Sequence, residues 1–389
     1  METYHNFEDI RPYNDDEVAG MIQILLKDPI FQNVLSAVFP KTPQALVELS
    51  FKEIKTKDDF QKRITYNIFR KLAEQTTGTL ECSGLDHLSK ERSYTFISNH
   101  RDIVLDAAWL NILLYEHGHS TSEIAIGDNL FVQKWIEITT RLNKSFVVKR
   151  GLAGRQMLEA SITLSNYIHY AITQKNASVW IAQREGRAKD SDDRTQESLI
   201  KMLAIGGNGE SVIAHLKELN IIPLTISYEY DPCDYLKAKE FQLKRDNEHY
   251  KKTKEEDFRN MKTGLENYKG RVHFRASYNI LPFLEELEQK ELAKNEIFTE
   301  VAQYIDRQIH HNYHIYPCNY IAYDMLYGGK QFVSFYSIDE EIEFQKYLNG
   351  QIDKIDIPRK DVPFLRNKIL EMYSNPLKNK MAADEALKQ

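Results

Sequence analysis

Residues 94–106 read Tyr94-Thr95-Phe96-Ile97-Ser98-Asn99-His100-Arg101-Asp102-Ile103-Val104-Leu105-Asp106, and this stretch decides the fold. Its first five residues are short, apolar and β-leaning. The run that follows, residues 104–115, has helical length and apolar content, so a strand passes into a helix across a brief polar turn. The same alternation recurs downstream. Further β-leaning runs stand at 124–126, 145–148, 178–182, 221–230 and 272–278, separated by helical stretches at 130–142, 156–173 and 198–216. Strands alternating with helices of this size imply an α/β domain over residues 78–280, a largely parallel twisted sheet flanked by helices.

Outward from that domain the pattern changes. Residues 1–77 read as a helical N-terminal segment. Asp15-Asp16-Glu17 charges a helix start, and Phe60, Ile64, Ile68, Phe69 and Leu72 recur at helical spacing before Thr76-Thr77-Gly78-Thr79 breaks the pattern. Residues 237–269 carry dense mixed charge and read as one or two solvated helices. Residues 281–389 read as a mainly helical C-terminal region around His310-His311-Asn312-Tyr313-His314.

Composition narrows the function classes. A chain of 389 residues with 42% hydrophobic content has material for two or three folded domains, which excludes disorder over its length. With 51 Lys+Arg against 57 Asp+Glu the net charge is -6, so no nucleic-acid partner is expected. Three scattered cysteines, Cys82, Cys233 and Cys318, form neither a disulfide framework nor a CxxC site and fit a reducing, cytoplasmic compartment. The acidic opening lacks a basic stretch followed by an apolar one, and no apolar run reaches membrane-spanning length.

Four stretches place reactive side chains directly after a strand, where the loops of an α/β sheet converge on a ligand. The first holds His100, Arg101 and two carboxylates. An imidazole steadied by an acid is the minimum equipment of a general base. His100 and Asp106 are six positions apart and meet only if His100 lies in the loop; Asp102 is the alternative partner. The second, Phe146-Val147-Val148-Lys149-Arg150-Gly151, delivers two adjacent cations suited to a phosphate. The third, Trp180-Ile181-Ala182-Gln183-Arg184-Glu185-Gly186-Arg187, turns at a glycine between Glu185, which could bond a substrate hydroxyl, and Arg187, an anion ligand. The fourth, residues 221–229, is an apolar strand whose Pro223 restricts it to a strand start, edge or bulge.

In this order the four stretches resemble the motif blocks of the glycerophospholipid acyltransferase family: His-x-x-x-x-Asp, an aromatic/aliphatic strand ending in Arg, a Glu-Gly-x-Arg-like turn, and a Pro-containing apolar strand. The resemblance covers about residues 94–230. Gly127-Asp128-Asn129-Leu130, Phe146–Arg150 and Tyr228-Glu229 are similar to the glycerol-3-phosphate and dihydroxyacetone-phosphate branch. Two spacings differ: Asp106 stands one position late, with Leu105 in the family's aspartate position, and Gly186 and Arg187 are adjacent.

The resemblance implies an acyltransferase that moves a fatty acyl group from acyl-CoA or acyl-carrier protein to glycerol 3-phosphate or a related phosphorylated acceptor. His100 is then the base and Asp106 its partner. Arg101, Lys149, Arg150, Glu185, Gly186, Arg187 and Pro223 form the substrate site, with no metal and no cofactor beyond the thioester cosubstrate. It also implies peripheral contact with the inner face of a membrane, for which residues 237–269 and Tyr313, Tyr316, Tyr323 and Tyr327 are candidates. Three other readings of the same residues remain. One is transfer to lysophosphatidate or another hydroxylated lipid. A second is a metal-dependent hydrolase using His100, Asp102, His310, His311 and His314. The third is a non-catalytic lipid- or acyl-carrier-binding module.

Overall fold

The computed structural model describes residues 7–388; positions 1–6 of the expected N-terminal helical segment lie outside the described residues. Helices α1 (Asp15–Lys27), α2 (Pro29–Val38), α3 (Gln44–Lys52), α4 (Lys57–Phe60) and α5 (Tyr66–Thr76) come first, with a π-helical turn, Gln61–Thr65, between the last two. They close a small core of their own around Val18, Leu25, Phe31, Phe51 and Phe60, which also takes in Ile138 and Leu142.

The expected sheet follows, in seven strands: β1 (Thr79–Ser83), β2 (Thr95–Ser98), β3 (Glu123–Gly127), β4 (Ser145–Val148), β5 (Val179–Ala182), β6 (Ile221–Tyr228) and β7 (Arg271–Ala276). Their order is β1-β7-β6-β2-β5-β3-β4. Every pairing is parallel except β6 with β7. Helices α6 (Leu105–Glu116), α7 (Lys134–Leu142), α8 (Gly154–Thr173), α9 (Glu197–Leu203) and α10 (Val212–Glu218) connect β2 through β6. The carboxyl ends of β2 to β6 therefore open on one end of the sheet, with β2 near its middle. Successive side chains of β2 point to opposite faces: Phe96 packs with Trp109, Leu110 and Phe274, and Ile97 with Ile168, Ile181 and Ile221.

After β6 the chain forms α11 (Asp234–Asp246) and α12 (Lys254–Glu266) before returning as β7. Because β7 is antiparallel, this excursion starts and finishes at the same end as the loop after β2. Five helices complete the described chain: α13 (Leu281–Glu288), α14 (Lys294–His311), α15 (Pro317–Tyr327), α16 (Ile338–Asp353) and α17 (Val362–Ala386). The first two share a core with the sheet, through Leu284, Val301 and Ile305, while the last three close another that includes Ala238 of α11.

Three local expectations need correction. The helix expected over 198–216 is two helices, because Gly206, Gly207 and Gly209 interrupt it and Gly207 has φ +106°. α11 is not solvated: Asp234, Lys237, Glu240 and Gln242 are buried, their charges answered by partners on other elements. Pro223 sits inside the sheet, between β2 and β7, rather than on an edge. Its carbonyl accepts from Ser277 N–H at 2.9 Å, so its nitrogen faces the β7 side, one residue before the first paired position, Leu224. No ladder bond is required there, which is how an interior strand tolerates the proline.

Candidate active site

The loop after β2 is pinned before it turns. Asn99 donates from Nδ2 to the Ile226 carbonyl at 2.9 Å and accepts the Ile226 N–H at 2.8 Å. That two-way bond to β6 frees the next residue, His100, from the ladder. At the far end of the loop, Asp102 Oδ1 accepts from Val104 and Leu105 N–H, both at 2.9 Å, and so caps α6.

Asp106, in the first turn of α6, is fully buried, and His100 is its partner: Nδ1 lies 2.8 Å from Asp106 Oδ2. The same oxygen accepts Arg101 N–H at 2.7 Å and Asp102 N–H at 3.1 Å, and Tyr228 Oη donates to the other at 3.3 Å. With Nδ1–H held on the carboxylate, Nε2 carries the lone pair, and the ring keeps 13% of its side chain exposed. The edge of Trp180 flanks it, ring centroids 6.0 Å apart, and is itself held by Nε1–H donating to Ser98 Oγ at 3.0 Å. The six-residue separation is bridged because one member lies in a loop and the other on a helix. Asp102, the other candidate, has its carboxylate on the helix cap.

Arg101 points inward. Its guanidinium donates to Ser191 Oγ at 2.7 Å and Asp231 Oδ2 at 3.1 Å. Asp231 also takes Lys237 Nζ at 2.6 Å. Burial opposes its charge, but Lys237 and Arg101 hold the carboxyl down to about 2. The expectation that Arg101 binds substrate is therefore corrected: its charge is committed to Asp231, and what it offers the dyad is its backbone N–H.

The third loop, after β5, adjoins β2 in the sheet. Gly186 adopts φ +68°, the left-handed turn expected there. Arg187 lies half-buried beside Cys233, 3.9 Å from Sγ, within the field of Asp102, whose carboxyl burial pushes up against the pull of Arg187. Gly264 of α12 covers the same spot; a Cβ there would run into the Asp102 carboxylate. Glu185 is exposed and pairs with Arg150 at 3.2 Å. Arg150 leaves β4, three strand spacings from β2 and so about 14 Å away at its root, and leans toward the site through that pair. Lys149 is exposed and lies 3.4 Å from Asp9.

Arg187, Gly186, Glu185 and Arg150 lie at the same end of the sheet as His100, Arg187 beside Asp102 and Glu185 paired with Arg150, while Lys149 lies beside Asp9. Pro223 does not reach that end: it is level with Ile97 in the sheet, about 10 Å before His100, and buried. It is the third residue of β6, whose first two, Ile221 and Ile222, already pair with β2.

Several groups were given no site role in the reading of the sequence. Tyr228, Asp231, Lys237, Ser191 and Trp180 all support the dyad or Arg101. Tyr228 and Asp231 carry the signal that marked the others, polar groups at the end of an apolar strand. Asp193 is fully buried, neither carboxylate oxygen has a hydrogen-bond partner, and burial raises its pKa against Arg101, Lys237 and His100.

The histidine-rich segment divides among separate settings. His310 Nε2 bonds the Asp193 carbonyl at 2.9 Å, His311 Nδ1 the Asp384 carboxylate at 2.5 Å, and the His314 ring lies by His273. Among the described residues no group of three or more His, Cys, Asp or Glu could hold a metal ion. Of the aromatics considered for membrane contact, Tyr313 and Tyr316 are buried and Tyr327 is exposed. A cavity of about 270 Å³ opens elsewhere, between α5 and α6 at the amino ends of the strands.

Residues 79–227 match the protein-family model described as Acyltransferase, which spans the dyad and the loops after β3, β4 and β5 and supports acyl transfer in general. Among curated proteins none matches the chain. Among solved structures it is similar to the 1-acyl-sn-glycerophosphate (LPA) acyltransferase of Thermotoga maritima, with 11% identity, 74% of this chain and 95% of that chain covered, and a TM-score of 0.35.

Proposed function

We propose that this protein transfers a fatty acyl group from a thioester, on coenzyme A or acyl-carrier protein, to a hydroxyl of glycerol 3-phosphate or a related phosphorylated acceptor in phospholipid synthesis. The observation that carries the reading is the His100–Asp106 pair, 2.8 Å apart, in the loop at the end of the sheet from which the loops bearing Arg187 and Arg150 also leave.

A polyol hydroxyl is almost wholly protonated near neutral pH, so the attack needs a base in place. His100 Nε2 takes the hydroxyl proton as the oxygen bonds to the thioester carbonyl carbon. Asp106 stabilises the imidazolium that forms. When the tetrahedral intermediate collapses, the C–S bond breaks and the departing thiolate takes the same proton from Nε2. The ring is restored, and ester and thiol leave. Arg187 and Arg150 supply positive charge for the acceptor's phosphate, with Glu185 steering Arg150. Proton transfer contributes roughly 10²–10⁴-fold, and positioning of the two substrates contributes much of the remainder. The membrane counts among the partners on this reading, as a peripheral contact, since the product is a lipid.

The test is thiol release from acyl-CoA and from acyl-carrier protein, with glycerol 3-phosphate and with lysophosphatidate as acceptors. Wild-type protein is expected to turn over with glycerol 3-phosphate. His100→Ala is expected to abolish turnover with an unchanged thermal melt. Near-normal transfer by that variant overturns the mechanism, and turnover with lysophosphatidate alone moves the acceptor to the lipid class.

A further inference from the structure

The cavity between α5 and α6 is walled by elements that the dyad does not use. Its volume is about 270 Å³. The turns that lead into β3 and β4 line it, so it lies at the amino ends of the strands, whereas His100 follows the carboxyl end of β2. A protein cavity of about 150 Å³ takes one benzene, so this one has room for roughly two fused rings. Its apolar lining is Phe69 of α5 with Ala108 and Ile112 of α6. Beside them the rings of Tyr66 and Tyr115 meet edge to face, 5.3 Å apart.

The polar wall is held in place before any ligand arrives. The π-helical turn carries Gln61 inward, 6% exposed, and its Oε1 accepts from Thr121 Oγ1 at 2.5 Å. Lys144, at φ +60°, donates to Thr121 Oγ1 at 2.7 Å and pairs with Asp58 at 2.6 Å. A π turn and a left-handed lysine are both costly backbone states, and such states concentrate at ligand sites.

The charges around this wall leave one over. Asp58 is matched by Lys144, and Glu116, which accepts from Tyr66 Oη, by Arg70 at 3.3 Å. Asp59 is turned to the Lys55 and Thr56 N–H groups, and Lys90, near Gly118, has Glu91 in its field. His119 is neutral near neutral pH, because burial lowers its imidazole. Lys62 is exposed, lies over the Tyr115 ring at 5.9 Å, and has no ion-pair partner among the described residues.

We propose that this cavity binds a small aromatic acid, with a flat two-ring body between α5 and α6 and a single carboxylate against Lys62. The ring edges and faces of Tyr66, Phe69 and Tyr115 suit a flat aromatic body, and the unmatched lysine suits one negative charge. The occupant is neither acceptor nor thioester, since His100 is at the other end of the sheet, and the proposal does not rest on acyl transfer. Ala108, Asn111, Ile112 and Tyr115 share one face of α6, the helix that carries Asp106. A ligand here therefore rests on the dyad's own support.

The experiment is titration calorimetry of the full chain with 2-naphthoate, with uncharged 2-naphthalenemethanol and with decanoate. Wild-type protein is expected to bind 2-naphthoate at one site with a Kd of about 1 mM or tighter, and the alcohol about threefold or more weakly. Lys62→Gln is expected to weaken 2-naphthoate by a similar factor, with an unchanged thermal melt because the side chain is exposed. Ala108→Leu extends into the empty space, so it is expected to abolish binding while melting no lower than wild type.

No binding of 2-naphthoate by the wild type, or equal binding by Ala108→Leu, overturns the site. An alcohol bound as tightly as the acid, or Lys62→Gln binding as wild type does, overturns the anionic class. Decanoate bound more tightly than 2-naphthoate overturns the flat body.

Discussion

Asp106 receives four donors: the His100 ring, the N–H groups of Arg101 and Asp102, and the Tyr228 hydroxyl. Only a carboxylate accepts so many and still offsets the positive charge the ring acquires. Asp106→Asn is therefore expected to lower kcat by about 10²–10⁴-fold, read in the thiol-release assay. Asp102→Asn makes the contrast. An asparagine oxygen caps a helix as well as an aspartate does, so this variant is expected to keep kcat within a few-fold of wild type. If the two variants lose activity alike, Asp102 has a part in the chemistry beyond its cap. The choice between these acids was not legible in the sequence, because it depends on where the helix begins. Residue types allowed either; the boundary at Leu105 left Asp102 to the cap and Asp106 to the ring.

At the scale of elements, legibility followed burial. β2 to β6 were readable because each is a short, mainly apolar run bounded by polar turns, β7 because Val272, Phe274 and Ala276 alternate with polar residues, and α6 because ten consecutive residues, 105–114, are buried. β1 escaped because it is an edge strand with alternating exposed positions, too polar to stand out from the turn before it. α11 misled for the reverse reason. Its Lys237 and Glu240 look solvated in sequence, yet one reaches Asp231 and the other Lys189, and neither partner is visible from within the helix. The break between α9 and α10 is testable directly. At φ +106° Gly207 has His169, His215 and Glu218 about it, each 2.9–3.0 Å from where a Cβ would stand. Gly207→Ala is expected to cost about 1–3 kcal/mol in urea unfolding; a variant as stable as wild type would mean the turn can change its path.

For the molecule as a whole, stability depends on buried groups that refuse charge. Burial lowers the His310 imidazole from 6.5 to about 4, although the Asp193 carbonyl pulls it the other way. The unfolded chain takes up a proton below pH 6.5 that the folded protein declines. The contribution of His310 is thus fully present above pH 6.5 and is lost as pH falls toward 4, up to about 3 kcal/mol for a buried group. His310→Gln keeps an N–H for that carbonyl and removes the titration. Its unfolding free energy, followed from pH 7 to pH 4, is expected to fall less than that of wild type. Equal pH slopes would assign the acid sensitivity to other groups. The overall α/β plan and the order of the loops were legible in sequence, since both follow from local pattern. The walls supplied from far along the chain, by α12, α14 and α17, were not.

α17 shows what that distance entails. Asn375 donates to the Asp190 carbonyl at 2.8 Å, Asn379 to Asp192 at 2.9 Å, and Tyr373 meets both Asp234 and the N–H of Asp231. These bonds hold the stretch just beyond Arg187 and the carboxylate that anchors Arg101. Synthesis runs from the amino end, so the ribosome completes the dyad and the strands on either side of it at Tyr228, well before it reaches Val362, where the helix that braces them begins. A half-made chain can own both members of the pair and still lack the brace, so the loop beyond Arg187 and the Asp231 carboxylate gain these bonds only after translation has passed residue 379.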